Sequence, residues 1–159
     1  MNKEFISSNC PEASYRLILL HGWGADAQDL FLFGRNLTDG IEEEFEVVSF
    51  NAPQLHPSGF GRQWYPLFPP DWSQVCSAKK DLKQRICSFS NSSIPLEKTF
   101  LLGFSQGGAM TVDLGCELPL AGLIGCSAYG HPGWIPPERR PPVFLTHGLI
   151  KLFSILLYQ

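Results

Sequence analysis

Lys98-Thr99-Phe100-Leu101-Leu102-Gly103-Phe104-Ser105-Gln106-Gly107-Gly108-Ala109-Met110 is the stretch on which the reading of this chain turns. A short apolar run, Phe100 to Leu102, leads into Gly103-x-Ser105-x-Gly107, and a helix-prone stretch follows. A strand, a turn too tight for side chains at its flanks and a helix are the parts of a nucleophile elbow. In that geometry Ser105 occupies the turn in a strained backbone conformation, with its hydroxyl pointing away from the sheet. Gly103 and Gly107 flank it because a Cβ at either place collides with the neighbouring strand or helix. The backbone N–H of Gln106 then points to where an oxyanion forms, helped by the positive end of the helix. A serine between glycines also suits a plain turn, so the weight rests on the strand before it and the helix after it.

The segments upstream supply a matching context. Tyr15-Arg16-Leu17-Ile18-Leu19-Leu20 is nearly continuous in apolar residues, as expected of a strand buried on both faces. It empties into the glycine-spaced loop His21-Gly22-Trp23-Gly24-Ala25-Asp26. Asp26 can cap a following helix, on which Leu30, Phe33 and Leu37 fall at helical spacing. Phe45 to Phe50 reads as a second strand, stopped by Asn51-Ala52-Pro53. Residues 53 to 72 show no period and are rich in proline, glycine and aromatic residues, the profile of a long functional loop. Val75, Ala78, Leu82, Ile86 and Phe89 mark one face of a helix. Beyond the elbow, Leu120 to Ser127 and Val143 to Thr146 read as strands, joined by the proline-rich loop from Tyr129 to Pro142.

Strands alternating with helices, with most strands apolar throughout, predict a parallel sheet covered on both faces. Ligands bind at the carboxyl ends of such strands. His21, Asn51, Ser105, Ser127 and His147 are therefore expected on one edge.

The totals narrow the partners. The 159 residues suffice for one domain with a real core. A net charge of -3, with Arg139-Arg140 and Lys79-Lys80 as the only basic pairs, argues against nucleic acid. Five cysteines without paired spacing read as reduced, mostly buried residues of a cytoplasmic protein, not as a disulfide framework or metal site. No cofactor is expected. The N-terminus, Met1-Asn2-Lys3-Glu4-Phe5, has no apolar export signal.

Four stretches together resemble the phospholipase/carboxylesterase family of α/β-hydrolases, which includes the acyl-protein thioesterases. They are Leu19 to Asp26, Asn51 to Pro53, Gly103 to Met110, and Val143-Phe144-Leu145-Thr146-His147-Gly148. The resemblance covers roughly residues 13 to 148 and implies an α/β-hydrolase fold, a mostly parallel sheet with helices on both faces. It implies a hydrolase acting on a small-molecule carboxylic ester or acyl-thioester, with Ser105 as nucleophile. The oxyanion hole would come from the backbone N–H groups of Trp23 and Gln106, and His21 would shape the loop that holds Trp23. Trp64, in Gly61-Arg62-Gln63-Trp64-Tyr65, resembles the family's aromatic residue near the acyl site; the other reading is an ordinary core aromatic.

The chain departs from the family after Gly148. The family's acid belongs where Lys151 stands, and its catalytic histidine follows about thirty residues later, by resemblance. Here no histidine follows His147. The expectation is a family domain over 1 to 148, truncated or frameshifted and lacking its last strand and helix. An unrelated apolar tail then runs from 149 to 159. A serine without its base loses about 10⁶ in turnover, about 8 kcal/mol of barrier. Very low turnover is therefore expected, the alternative being a non-catalytic remnant or ligand-binding protein that keeps the pocket.

Ser105…Glu138…His147 satisfies the family order formally, yet order does not supply geometry. Glu138 reads as an ion-pairing neighbour of Arg139 and Arg140, and His147 as a structural residue of a tight His-Gly turn. His56 and His131 read as solvated loop residues and Asp113 as a surface or capping charge. The tail is too short to span a bilayer, which takes about 20 residues. An open sheet edge predicts self-association.

Overall fold

The computed structural model describes residues 4–148. Among these residues eight strands form: Phe5–Ser7 (β1), Tyr15–Leu20 (β2), Phe45–Phe50 (β3), Gln54–Leu55 (β4), Arg62–Gln63 (β5), Thr99–Phe104 (β6), Gly122–Cys126 (β7) and Val143–Thr146 (β8). The helices are Ala27–Thr38 (α1), Val75–Cys87 (α2) and Gln106–Gly115 (α3), with 3-10 turns at Trp72–Gln74, Ser88–Asn91 and Leu96–Lys98. The main sheet has the order β1-β3-β2-β6-β7-β8. Every pairing in it is parallel except that of β1 with β3.

The apolar runs explain this order. β2 and β6 lie inside the sheet, and their residues Ile18, Leu19, Leu20 and Leu101 are wholly buried. Alternate residues of β2 feed opposite faces. Ile18 and Leu20 join a core with Val75, Ala78, Leu82 and Ile86 of α2 and Met110 and Leu114 of α3. Leu17 and Leu19 join Val47 and Leu102 in a second core under Leu30 and Phe31 of α1. Helices thus cover both faces. Arg16, 2% exposed, is the polar exception on β2. Its guanidinium donates to Glu46 (2.8 Å), the Ile94 carbonyl (3.0 Å) and Ser92 Oγ (2.9 Å), so the buried charge is fully engaged.

α1 differs from the expectation. Asp26 caps it within a capping box closed by Asp29, but Phe33 and Leu37 face solvent. The contact face runs instead through Ala27, Leu30, Phe31 and Gly34. Gly34 is the reason: a Cβ there would run into Leu19 Cδ1, so the backbone of α1 comes close to the sheet at that point. By contrast, the face read for α2 holds, with Val75, Ala78, Leu82 and Ile86 buried and Phe89 packed at its end.

The segment from 53 to 72 is likewise not structureless. β4 and β5 pair antiparallel, Gln54 opposite Gln63 and Leu55 opposite Arg62, and form a small hairpin over the carboxyl edge of the sheet. All five cysteines are free. No helix among the described residues is long and apolar enough to cross a membrane. Lys151 and the segment from 149 to 159 lie outside the described residues.

Candidate active site

The sharpest backbone feature lies at the end of β6. Ser105 has φ 52° and ψ -112°, in a region that L residues rarely adopt. The strain is enforced from both sides. A Cβ on Gly103 would collide with the Gly107 carbonyl, and one on Gly107 with the Leu20 and His21 carbonyls. Glycine at both places lets β6 turn directly into α3 while pressed against the end of β2. The Ser105 N–H donates to the Cys126 carbonyl (2.8 Å), and Ala109 N–H to the Ser105 carbonyl (2.9 Å). Ser105 itself stays partly exposed at the N-terminus of α3. Among the described residues no side chain hydrogen-bonds its hydroxyl.

The loop after β2 lies against this turn. A Cβ on Gly22 would sit 3.2 Å from the Phe104 ring and 3.6 Å from Ser105 Cβ. His21, wholly buried, shapes the loop from within. The Ala52 N–H donates to its Nε2 (3.0 Å), which places the ring proton on Nδ1, facing the Gly22 carbonyl at 2.7 Å. Burial lowers the pKa of this imidazole and keeps it neutral. Trp23 follows, its indole N–H donating to Gln63 Oε1 (2.9 Å). Gly24 N–H donates to the Arg62 carbonyl (2.9 Å), and Arg62 N–H to the Ala25 carbonyl (2.8 Å), stitching the loop to the β4–β5 hairpin. The backbone N–H groups of Trp23 and Gln106 donate to no carbonyl among the described residues.

Trp64 has no exposed surface and packs in the core, its ring 5.5 Å from that of His21. Its indole N–H donates to the His21 carbonyl (2.9 Å) and its backbone N–H to Gln106 Oε1 (3.0 Å). The core reading of Trp64 describes this buried position. Gln106 Nε2 donates to the Tyr65 carbonyl (2.8 Å), so the buried amide clamps residues 64 and 65 to the turn.

The parallel register brings His21, Asn51, Ser105, Ser127 and His147 to the carboxyl edge, as read from the sequence. It does not join them into a relay. His147 Nε2 contacts the Ala128 carbonyl at 3.3 Å, and Glu138 is exposed. Among the described residues Glu138 forms no ion pair, and Arg140 donates to the Pro137 carbonyl (2.8 Å). Neither forms a bond to the other.

The readings of three isolated residues are corrected. His131 is 6% exposed and Asp113 4% exposed, and the ring Nδ1 lies 2.6 Å from Asp113 Oδ2. Asp113 points inward because it sits on the face of α3 that meets α2, where Lys79 also reaches it (2.5 Å). Burial opposes its charge, but the bonds from His131 and Lys79 outweigh that and hold its carboxyl below the usual range. The pair was invisible in the sequence because neither residue falls in a recognisable spacing with the other. His56 is half-buried rather than solvated, its ring edge-on to Trp23 at 4.0 Å.

Comparison with known proteins bears on the family and the fold. Residues 1–152 match the family model described as Phospholipase/Carboxylesterase. A probable carboxylesterase of Oryza sativa subsp. japonica is 30% identical over 126 residues, covering 70% of this chain and 46% of the rice protein. The chain thus spans about half the length of that relative. The crystal structure of esterase PE8 is 28% identical and superposes with a TM-score of 0.78, over 91% of this chain and 73% of that one. The Bacillus cereus carboxylesterase, at 19% identity and TM-score 0.75, covers 91% of this chain and 70% of its own, a likeness of fold. With an α/β-hydrolase-like sheet and a family match running past both ends of the stretch read from motifs, this chain belongs to the phospholipase/carboxylesterase family.

Proposed function

We propose that the protein is a serine hydrolase of carboxylic esters or thioesters, with Ser105 as nucleophile. The observation that carries this is the strained Ser105 turn between Gly103 and Gly107 at the N-terminus of α3, facing the loop that holds Trp23. Ser105 Oγ attacks the acyl carbonyl, and the carbonyl oxygen takes up negative charge as it becomes tetrahedral. The backbone N–H groups of Trp23 and Gln106 are the donors for that charge, each such donor being worth about 10² to 10³ in rate. The positive end of α3 adds to them.

Deprotonation of Ser105 is the weak step in this 159-residue chain. His21 is committed to Gly22 and Ala52, His56 to Ser58, His131 to Asp113 and Tyr65, and His147 to Ala128. None bonds to Ser105 among the described residues. Turnover of this chain is therefore expected about 10⁶ below that of a complete triad, what remains coming from the oxyanion donors and binding.

A fluorophosphonate probe and short-chain p-nitrophenyl esters test the assignment. Slow labelling and turnover that disappear together in Ser105→Ala support it. A folded sample that takes no label supports the second reading, a ligand-binding protein, which the engagement of all four histidines favours.

A further inference from the structure

One chain of largely buried polar contacts lies away from the elbow. Lys79 Nζ lies 2.5 Å from Asp113 Oδ1, and Asp113 Oδ2 lies 2.6 Å from His131 Nδ1. His131 Nε2 is 2.9 Å from the Tyr65 hydroxyl, which is 2.6 Å from the Tyr129 hydroxyl. Tyr65 is wholly buried. The acyl chemistry assigned to Ser105 uses none of these groups.

Proton counting fixes one end of the chain. Asp113, held ionised, only accepts, so His131 Nδ1 carries a proton and donates to it. His131 Nε2 and the Tyr65 and Tyr129 hydroxyls continue the chain, each within hydrogen-bond distance of the next. Every polar atom from Asp113 to Tyr129 thus has a partner, as a satisfied buried network requires. Burial also pushes the Tyr65 phenol far up and that of Tyr129 to about 12, so both hydroxyls keep their protons.

The network reaches the elbow through the backbone of Tyr65. That carbonyl accepts from Gln106 Nε2, and the neighbouring Trp64 N–H donates to Gln106 Oε1.

We propose that His131 is a positioning residue for the Ser105 site. It holds Tyr65 by the hydroxyl, and Tyr65 with Trp64 holds Gln106 so that its backbone N–H keeps its aim at the oxyanion. This rests on the reading of Gln106 as an oxyanion donor.

Tyr65→Phe and His131→Phe in the full chain test it, the first keeping the buried ring should the second fail to fold. Amide exchange by NMR follows the Trp64 N–H, with Leu19 N–H on β2 as the reference for global opening. In Tyr65→Phe, Trp64 exchange is expected to rise about tenfold while Leu19 changes by less than about twofold. Fluorophosphonate labelling of Ser105 is expected to slow by about tenfold. Unchanged Trp64 protection, or a rise only in step with Leu19, overturns the proposal, as does unchanged labelling beside a loosened Trp64. Should the wild-type chain take no label, the reading of Ser105 falls instead, and the exchange result alone decides whether His131 holds the clamp.

Discussion

The indole N–H of Trp64 donates to the main-chain carbonyl of His21 at 2.9 Å, tying the core to the loop that carries Trp23. Trp64→Phe keeps an aromatic ring but leaves a buried carbonyl without its donor. A loss of about 1–3 kcal/mol in denaturant unfolding is expected. Because the orphaned group lies on the loop that carries Trp23, the proposed oxyanion donor, probe labelling of Ser105 should slow by more than the stability loss predicts.

Gly107 and Gly59 separate two roles of glycine. Gly59 has φ 82° with nothing near its missing Cβ, so Gly59→Ala carries only backbone strain, about 1 kcal/mol. Gly107→Ala drives a methyl into the backbone at the end of β2, where no side chain can yield. A cost above about 3 kcal/mol, or failure to fold, is expected. Comparable losses in the two variants would show that packing at the elbow is looser than described.

His21 makes stability depend on pH. Its pKa is lowered in the fold, so below the unfolded value of about 6.5 the unfolded chain binds a proton that the folded one refuses. Stability should therefore fall as pH drops below about 6.5, at no more than about 1.4 kcal/mol per pH unit from this group. Chemical unfolding at pH 7.5, 6.5 and 5.5 measures it. His21→Asn, though less stable throughout, should show a flatter dependence over that window.

Asp113 acts at lower pH. Its carboxyl is held below the usual range, so the stability it lends is present above about pH 4 and is lost as pH falls through its lower folded value. Acid unfolding of Asp113→Asn should lose that segment of the curve, and the neutral-pH stability should drop because Lys79 and His131 lose their acceptor charge.

β8 ends the sheet among the described residues, and its Phe144 and Leu145 are 64% and 61% exposed. An exposed apolar edge strand pairs readily with other chains. Concentration-dependent elution in size-exclusion chromatography is expected of the 159-residue chain, and Phe144→Lys should reduce it. A single monomer peak at all concentrations would exclude association through this edge.

The elements legible in the sequence were those with an apolar run to announce them. β2, β3 and β8 begin and end at the residues read for them, each being a run dominated by apolar, aromatic and β-branched residues between turn signals, although β8 proves to be an exposed edge. The elbow was legible because only glycine fits on either side of Ser105. β1, held in part by the Asn51 N–H donating to the Glu4 carbonyl, was missed because Phe5-Ile6-Ser7 is too short to show a period. β4 and β5 are two residues each and escape for the same reason. On α1, counting apolar residues chose Phe33 and Leu37, whereas the sheet is met at Gly34, a residue with no hydrophobicity to register. His131 and Asp113 were misjudged because a charged residue in a loop or on a helix shows its buried partner only in three dimensions.

The register of β6 against β2 also bears on how the protein folds. Arg16 lies beside Thr99 and Leu20 beside Gly103, so the strand that delivers Ser105 pairs across more than half the chain. Bringing distant segments together carries an entropic cost that nearby pairings avoid, and such contacts form late. β2 and β3, close in sequence, can associate first. The strained turn at Ser105 is then set only once the segment between β3 and β6, which carries α2, has collapsed, so this turn is expected among the last features of the molecule to form.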